Sequence, residues 1–278
     1  MSGDARGPEA VSSIPRKRRF LPGEAALPWI TTPLLVGTLI LIWDSYVRMA
    51  GVSPLILPRP GAVWQAWLEM LGDRRAWHHT WMTVYATLTG FAYAATIGIV
   101  LGVLIARARW LELTLNPFIV ATQVIPKVAL VPLFVLWFGF GITSKVIVAA
   151  VLSFFPILTN TALGVKSIEE GHRDVMVSLN ATRWQVFRRL ELPSALPYII
   201  TGLEVGIVLA IIGAIVGEYL GGSSGLGHLL IARLNAFETD QMFAVLIHMS
   251  LLGFTFYFLI GALRRRLIPW HASARPRV

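Results

Sequence analysis

Besides Asp44 in the first apolar run, four acidic or basic side chains lie within the long apolar runs of this sequence, where a charge is costly unless it binds or pairs with something. They are Lys127, Glu204, Glu218 and His248. Lys127 could attract an anionic solute, or it could snorkel to polar surroundings at the neighbouring Pro126 or pair with another side chain. Glu204 and Glu218 could line a pathway or pair with Lys127, and His248 is expected to form a hydrogen bond between helices rather than a proton relay. Lys127, Glu204 and His248 are therefore the candidate pathway residues.

The residue pattern does not indicate catalysis. The chain has no cysteine, which excludes thiolate chemistry, disulfides and sulfur metal ligands, and its six histidines form no HExxH or other spaced metal pair. The segment GFGITSK, Gly139 to Lys145, lacks the GxxxxGK[ST] order of a phosphate-binding loop. A membrane-embedded enzyme would need a nucleophile, metal ligands or paired carboxylates at one depth, and none converge. We expect no catalytic residue, cofactor or metal.

Composition places these residues in a membrane. Hydrophobic residues make up 55% of the chain and charged residues only 14%, against roughly 25% charged in soluble domains. Each apolar run is long enough to cross a hydrocarbon core of ~30 Å as a helix. The sequence predicts an all-α, polytopic membrane protein with six transmembrane helices, at about 29–47, 82–106, 113–138, 146–165, 199–220 and 242–263. In the second span, Gly98 and Gly102 have the spacing that lets another helix approach closely.

The basic residues predict the orientation. The net charge of +9 comes from residues at the ends of the apolar runs, which is typical of topology signals rather than of nucleic-acid binding. With the N-terminus inside, 17 of the 24 lysines and arginines lie on the cytoplasmic side, six lie outside and one lies within a span. This bias predicts a multi-pass protein of the inner (plasma) membrane with both termini in the cytoplasm.

The same pattern divides the chain into four parts. Residues 1–28 are expected to form a disordered cytoplasmic arm, and residues 29–80 the first transmembrane helix with an external interfacial segment carrying Trp64, Trp67 and Trp77. Residues 81–267 form the five-helix core, and residues 268–278 the cytoplasmic tail.

A charged segment of about thirty residues interrupts the apolar runs, and we call residues 167–198 the polar island. It is predicted to form two short helices around a turn at Asn180, which is well suited to a positive φ. Trp184, Phe187 and Leu190 recur on one side of the second helix. Pro193 is predicted to end that helix, because its ring clashes with the preceding turn.

The island resembles the cytoplasmic loop of binding-protein-dependent ABC importer permeases. The family motif runs Glu-Ala-Ala, three residues, Gly, nine residues, Ile, one residue, Leu-Pro, and this sequence matches its spacing without a gap. The matching residues are Asp174, Val175, Met176, Asn180, Leu190, Leu192 and Pro193. The resemblance implies an ATPase-coupling loop, to which we add Ala181, Trp184 and Phe187. The larger Val175 and Met176 in place of the two alanines imply a matched ATPase partner.

Two further stretches resemble the permease subfamily for nitrate, sulfonates, taurine and vitamin precursors. They are VIPKVALVPLFVLWFGFGITSKVIVAAVLSFFPILTNT, residues 124–161, and VGEYLGGSSGLGHLL, residues 216–230. The resemblance implies a type I ABC importer permease that acts as a homodimer in the lipid bilayer, with two ATPase subunits and a solute-binding protein. ATP hydrolysis would then belong to the partner, and the solute would be small and often anionic.

The alternative is a secondary transporter driven by an ion gradient. Such proteins are often built from repeated halves with paired broken helices. No convincing repeat relates residues 29–138 to residues 146–263.

Overall fold

The computed structural model describes residues 27–269. The expected arm and tail therefore lie almost entirely outside the described residues. The chain divides into two compact units within its first helix, between Ile42 and Trp43. Of the first unit the structure describes the apolar helical segment Leu27–Ile42. All the remaining helices belong to the second unit.

The described residues form helices and connecting turns, and no strand occurs between residues 27 and 269. In chain order the α-helices are α1 Leu27–Ala50, α2 Pro60–Gly72, α3 Arg74–Arg107, α4 Arg109–Val124, α5 Val131–Phe138, α6 Ile142–Lys166, α7 Glu170–Ser178, α8 Arg183–Val186, α9 Leu192–Gly221, α10 Leu226–Asn235 and α11 Thr239–Leu267. A 3₁₀ turn, Lys127–Leu130, precedes α5, and a π-helical turn, Phe187–Glu191, joins α8 to α9. The all-α membrane fold is confirmed.

Five predicted spans correspond to single helices that are long and apolar enough to cross a membrane. Most extend beyond the apolar run, because polar residues complete their ends. The helix of the second span begins at Arg74, where the Asp73 carboxylate accepts a hydrogen bond of 2.8 Å from the Arg75 amide and caps the helix.

The third predicted span, 113–138, is interrupted near Pro126, as the two prolines in its apolar run, Pro126 and Pro132, predict. Helices α4 and Lys127–Phe138 are bent by 86° relative to each other across a short break. Pro126 lies at the break and Pro132 in the first turn of α5, where proline cannot continue the hydrogen-bond ladder of the preceding helix. The pair is either a broken span or a re-entrant loop.

Helix α6 lies at the centre of the second unit and packs most extensively against α9 and α3. Small residues allow this approach. A Cβ atom added at Gly90 of α3 would lie 2.6 Å from Ala149 Cβ, and one at Gly102 would lie 2.7 Å from Thr161 Cβ. The close approach predicted from Gly98 and Gly102 is confirmed, and its partner is α6.

Candidate functional site

The polar island folds into α7, a tight turn and α8. The turn residue Asn180 has φ +51°, and its amide donates to the Val177 carbonyl at 2.9 Å. The prediction of a positive φ at this position is confirmed. Thr182 then caps α8, because its hydroxyl accepts from the Gln185 amide while the Gln185 side chain accepts from the Thr182 amide.

Pro193 does not end the second helix, contrary to the prediction. It occupies the first turn of α9, where its missing N–H and fixed φ are tolerated. The π-helical turn Phe187–Glu191 joins α8 to α9, so that Arg183–Gly221 is one continuous helix of 39 residues. The island is therefore joined directly to a transmembrane helix.

The predicted coupling residues divide by exposure. The exposed ones are Asp174, Val175, Asn180, Trp184 and Leu192, and the partly buried ones are Met176, Ala181, Phe187, Leu190 and Pro193. Two further apolar side chains, Val177 and Leu179, project from α7, and Leu179 is 71% exposed. Trp184 is 65% exposed and contacts Phe187 with ring centroids 5.6 Å apart. These apolar side chains are not covered by any other part of the described chain.

The buried carboxylate of Glu191 links the island to the transmembrane helices through two arginines. Glu191, in the π-helical turn, accepts hydrogen bonds from Arg107 at the end of α3 and forms an ion pair with Arg173 of α7 at 3.5 Å. The Arg107 guanidinium also lies 4.7 Å from the centroid of the Phe187 ring, which is a cation–π geometry. One side chain thus connects α3, α7 and the start of α9.

The candidate pathway residues do not converge. Lys127 lies at the bend before α5, where its Nζ is 5.0 Å from the centroid of the Phe155 ring. Glu204 forms an ion pair with Arg264 of α11 rather than with Lys127. His248 Nε2 is 3.1 Å from the Thr80 hydroxyl, so it forms the expected contact between helices, here α11 and α3. Between residues 27 and 269, no three His, Cys, Asp or Glu side chains are grouped to hold a metal ion.

A family assignment follows from comparison with known proteins. The model of the family described as "Binding-protein-dependent transport system inner membrane component" matches residues 98–269. The chain belongs to this family. It is a non-enzymatic permease component of ABC importers for small solutes.

Two curated relatives cover most of this permease. It is 40% identical over 246 residues to the riboflavin transport system permease protein RibX of Chloroflexus aurantiacus. This match covers 88% of this chain and 92% of RibX. It is 30% identical over 250 residues to the taurine transport system permease protein TauC of Escherichia coli, covering 87% and 91% respectively.

A solved structure shows the same fold. A chain of the inward-facing MetNI methionine ABC transporter has a TM-score of 0.58 and 18% identity to this permease, covering 68% of this chain and 94% of that one. The type I importer fold is thereby confirmed, and the family assignment favours an ABC importer over an ion-gradient carrier.

The permease also contains a buried polar cluster that sequence reasoning did not identify. The Glu218 side chain, whose residue is only 1% exposed, lies near the end of α9 and accepts from the Thr83 hydroxyl and from the Gly227 amide at 3.0 Å. Thr83 in turn accepts from the Leu226 amide at 2.8 Å. These bonds satisfy amides at the start of α10, which would otherwise be unpaired.

Lys145 completes this cluster. It lies near the start of α6, where the residue is 1% exposed and its Nζ donates to the Ser224 carbonyl at 2.6 Å. Gly225 leaves room for the carboxylate, since a Cβ atom there would lie 2.0 Å from Glu218 Cδ. Glu218 and the glycine-rich turn are close in the sequence, but Lys145 lies about 80 residues before them. The sequence alone does not indicate that Lys145 contacts this turn.

Proposed function

We propose that this permease forms the translocation path for a small, possibly anionic solute and couples it to a separate ATPase through the polar island. The observation that carries the proposal is the exposure of three large apolar side chains of the island, Val177, Leu179 and Trp184, each more than 60% exposed. Burying such side chains against a partner is favourable at roughly 25 cal/mol per Å² of apolar surface. The relatives named for taurine, sulfonates and nitrate support an organic or inorganic anion, and those named for riboflavin and formylaminopyrimidine support a vitamin or its precursor.

The mechanism follows from the attachment of the island. A partner that binds the exposed face displaces α7 and α8 when it closes, and Glu191 passes the displacement to α3 through Arg107. The unbroken helix Arg183–Gly221 passes it to α9. Since α6 packs between α3 and α9, all three helices move relative to the solute path. The partner supplies the energy through its different affinities for the two states.

The proposal includes the assembly and its orientation. Two copies of the permease would pair with two ATPase subunits and receive solute from a solute-binding protein. The protein would lie in the inner membrane, with both termini and the island on the cytoplasmic side. The excess of lysine and arginine in the segments assigned to the cytoplasmic side supports the orientation.

The test is a charge placed on the uncovered face. In the importer purified with its ATPase, Leu179→Glu or Asp174→Arg is expected to abolish recovery of the ATPase with the permease and to reduce ATP-driven uptake into proteoliposomes at least tenfold. Uptake would be followed with taurine, ethanesulfonate, nitrate and riboflavin. Leu179→Met is the matched control, because it keeps an apolar side chain and should behave like the wild type. Full uptake by both charged variants would rule out the island as the docking surface.

A further inference from the structure

An open cleft of about 700 Å³ lies where α3 and α6 end and α4 and α7 begin. Most of its surface is polar, and six of its lining residues are charged. The cations are Arg107, Arg109, Lys166 and Arg173, and the carboxylates are Glu112 and Glu170. The proposed coupling uses Arg107 and Arg173 only through Glu191 and gives the cleft itself no role.

Two of these arginines share one carboxylate. Arg107 Nε donates to Glu191 Oε2 at 3.1 Å, and Arg173 Nη2 lies 3.5 Å from Glu191 Oε1. A single carboxylate balances only one guanidinium charge. The two arginines together with Glu191 therefore keep one positive charge.

The other two cations differ in their partners. Lys166 forms an ion pair with Glu112. Arg109 is exposed, and within residues 27–269 no carboxylate lies within 4 Å of its guanidinium group. Glu170 is the remaining acid of the lining and is also exposed. The four cations therefore exceed the three carboxylates, Glu191 included, by one charge.

The apolar side of the cleft continues onto the exposed surface of α4. Leu113 lines the cleft and is 67% exposed, and Trp110, one turn earlier in the same helix, is 69% exposed. Indole rings favour the level of the lipid headgroups. The basic cleft thus adjoins an apolar surface at the depth where a charged headgroup meets its acyl chains.

A lipid phosphate is the complement of this arrangement. Basic pockets between membrane helices suit anionic headgroups, because arginine binds phosphate oxygens through charge-assisted hydrogen bonds. We infer that the cleft binds an anionic phospholipid, with the phosphodiester at Arg109 and Arg173 and an acyl chain along Leu113. The single charge of a phosphodiester matches the one excess cation. Free phosphate offers the same charged group but has no chain to cover the apolar side, and neither the transported solute nor the coupling enters this inference.

Isothermal titration calorimetry of the complete permease–ATPase complex in a non-ionic detergent tests the site. Dihexanoylphosphatidylglycerol, a soluble anionic lipid, is the probe, and dihexanoylphosphatidylcholine, which has the same chains and no net charge, is its control. After subtraction of the heat measured with empty micelles, the wild type is expected to bind the anionic lipid at least about fivefold more tightly. Arg109→Gln should weaken binding of the anionic lipid about fivefold and leave the neutral lipid unchanged, whereas Arg109→Lys should keep the preference.

Two variants separate a built site from a general attraction to basic residues. Arg266→Gln removes an exposed cation at the end of α11 and should bind both lipids like the wild type. Leu113→Gln, on the apolar side of the cleft, should weaken binding of the anionic lipid. An unfolding midpoint equal to that of the wild type would show that Arg109→Gln is folded.

Sodium phosphate, added at constant ionic strength, distinguishes a lipid from a free anion. It should bind at least about tenfold more weakly than the anionic lipid, because it buries no chain. Phosphate binding as tight as that of the lipid, and lost in Arg109→Gln, would assign the cleft to a free anion and overturn the lipid assignment. Equal binding of the two lipids, unchanged binding of the anionic lipid in Arg109→Gln, or the same loss in Arg266→Gln would also overturn it. A complex that binds neither lipid would indicate that the ATPase covers the cleft, with the same consequence.

Discussion

At the scale of single residues, the Thr83 hydroxyl joins α3 to the end of α9 and the start of α10 through buried hydrogen bonds. It donates to Glu218 and accepts from the Leu226 amide, and both partners are buried. Removing it leaves the Leu226 amide without a hydrogen bond and leaves the Glu218 carboxylate with the Gly227 amide as its remaining donor.

We therefore expect Thr83→Val, which keeps the shape of the side chain, to destabilise the permease by about 1–3 kcal/mol. Thermal unfolding of the purified protein in detergent would show a lower midpoint. Thr96→Val is the control, since the exposed Thr96 hydroxyl only donates to the Ala92 carbonyl of its own helix. Equal midpoints for the two variants would contradict a structural role for the buried cluster.

At the scale of helices, the crossing of α3 and α6 depends on the absence of side chains. Gly102→Ala would place a Cβ atom 2.7 Å from Thr161 Cβ, and overpacking of this kind costs about 1–3 kcal/mol. Alanine also favours the helix by ~1 kcal/mol relative to glycine, which offsets part of that cost.

The expected net result is a lower unfolding midpoint for Gly102→Ala. Gly261→Ala is the matched control in α11, where nothing lies within 4 Å of the added atom, so the midpoint should stay constant or rise. A rise for both variants would mean that α3 and α6 separate easily.

The link between the island and the spans is a second prediction at this scale. Glu191→Gln keeps the shape of the side chain but removes the charge that attracts Arg107 and Arg173. We expect the ATPase still to bind, while solute transported per ATP hydrolysed falls on the order of fivefold, since neutral hydrogen bonds are weaker by ~1 kcal/mol or more. Glu169→Gln, on a highly exposed side chain of the same island, should leave this ratio unchanged. An unchanged ratio in Glu191→Gln would show that coupling takes another route.

At the scale of the whole molecule, the orientation can be measured directly because the chain contains no cysteine. Single cysteines at exposed positions, Ser178→Cys in α7 and Arg75→Cys at the start of α3, would report the two sides. In right-side-out vesicles we expect a membrane-impermeant maleimide to label Arg75→Cys at once and Ser178→Cys only after permeabilisation. The opposite pattern would place the island outside and invert the predicted topology.

Much of this architecture could be predicted from sequence, because its main signals are local. Apolar run length predicts helices, and Asn180 and Thr182 mark a turn and a cap through their own chemistry. The interruption at Pro126 was predictable, but its angle of 86° was not, because a proline within an apolar run is compatible with both a kinked span and a sharp break. Pro193 was misjudged for a related reason, since the same ring that ends one helix also suits the first turn of another.

The candidate sites divide in the same way. The island was predictable because its residues are contiguous. The contacts of Glu218 with Thr83, and of Lys145 with Ser224, join residues far apart in the chain, and their charges gave no indication of their partners. Such contacts form when distant helices pack together, and the spacing of apolar residues along the sequence does not predict which helices will pack.

The continuous helix Arg183–Gly221 has a geometric consequence for the whole protein. At ~1.5 Å per residue its 39 residues extend over about 58 Å, nearly twice the thickness of a hydrocarbon core. A rotation of about 5° around its midpoint would move each end by about 2.5 Å, which is close to the length of a hydrogen bond. If α3 kept its position, such a rotation begun at Trp184 would stretch the hydrogen bond between Glu218 and Thr83 at the other end of the helix by nearly its own length.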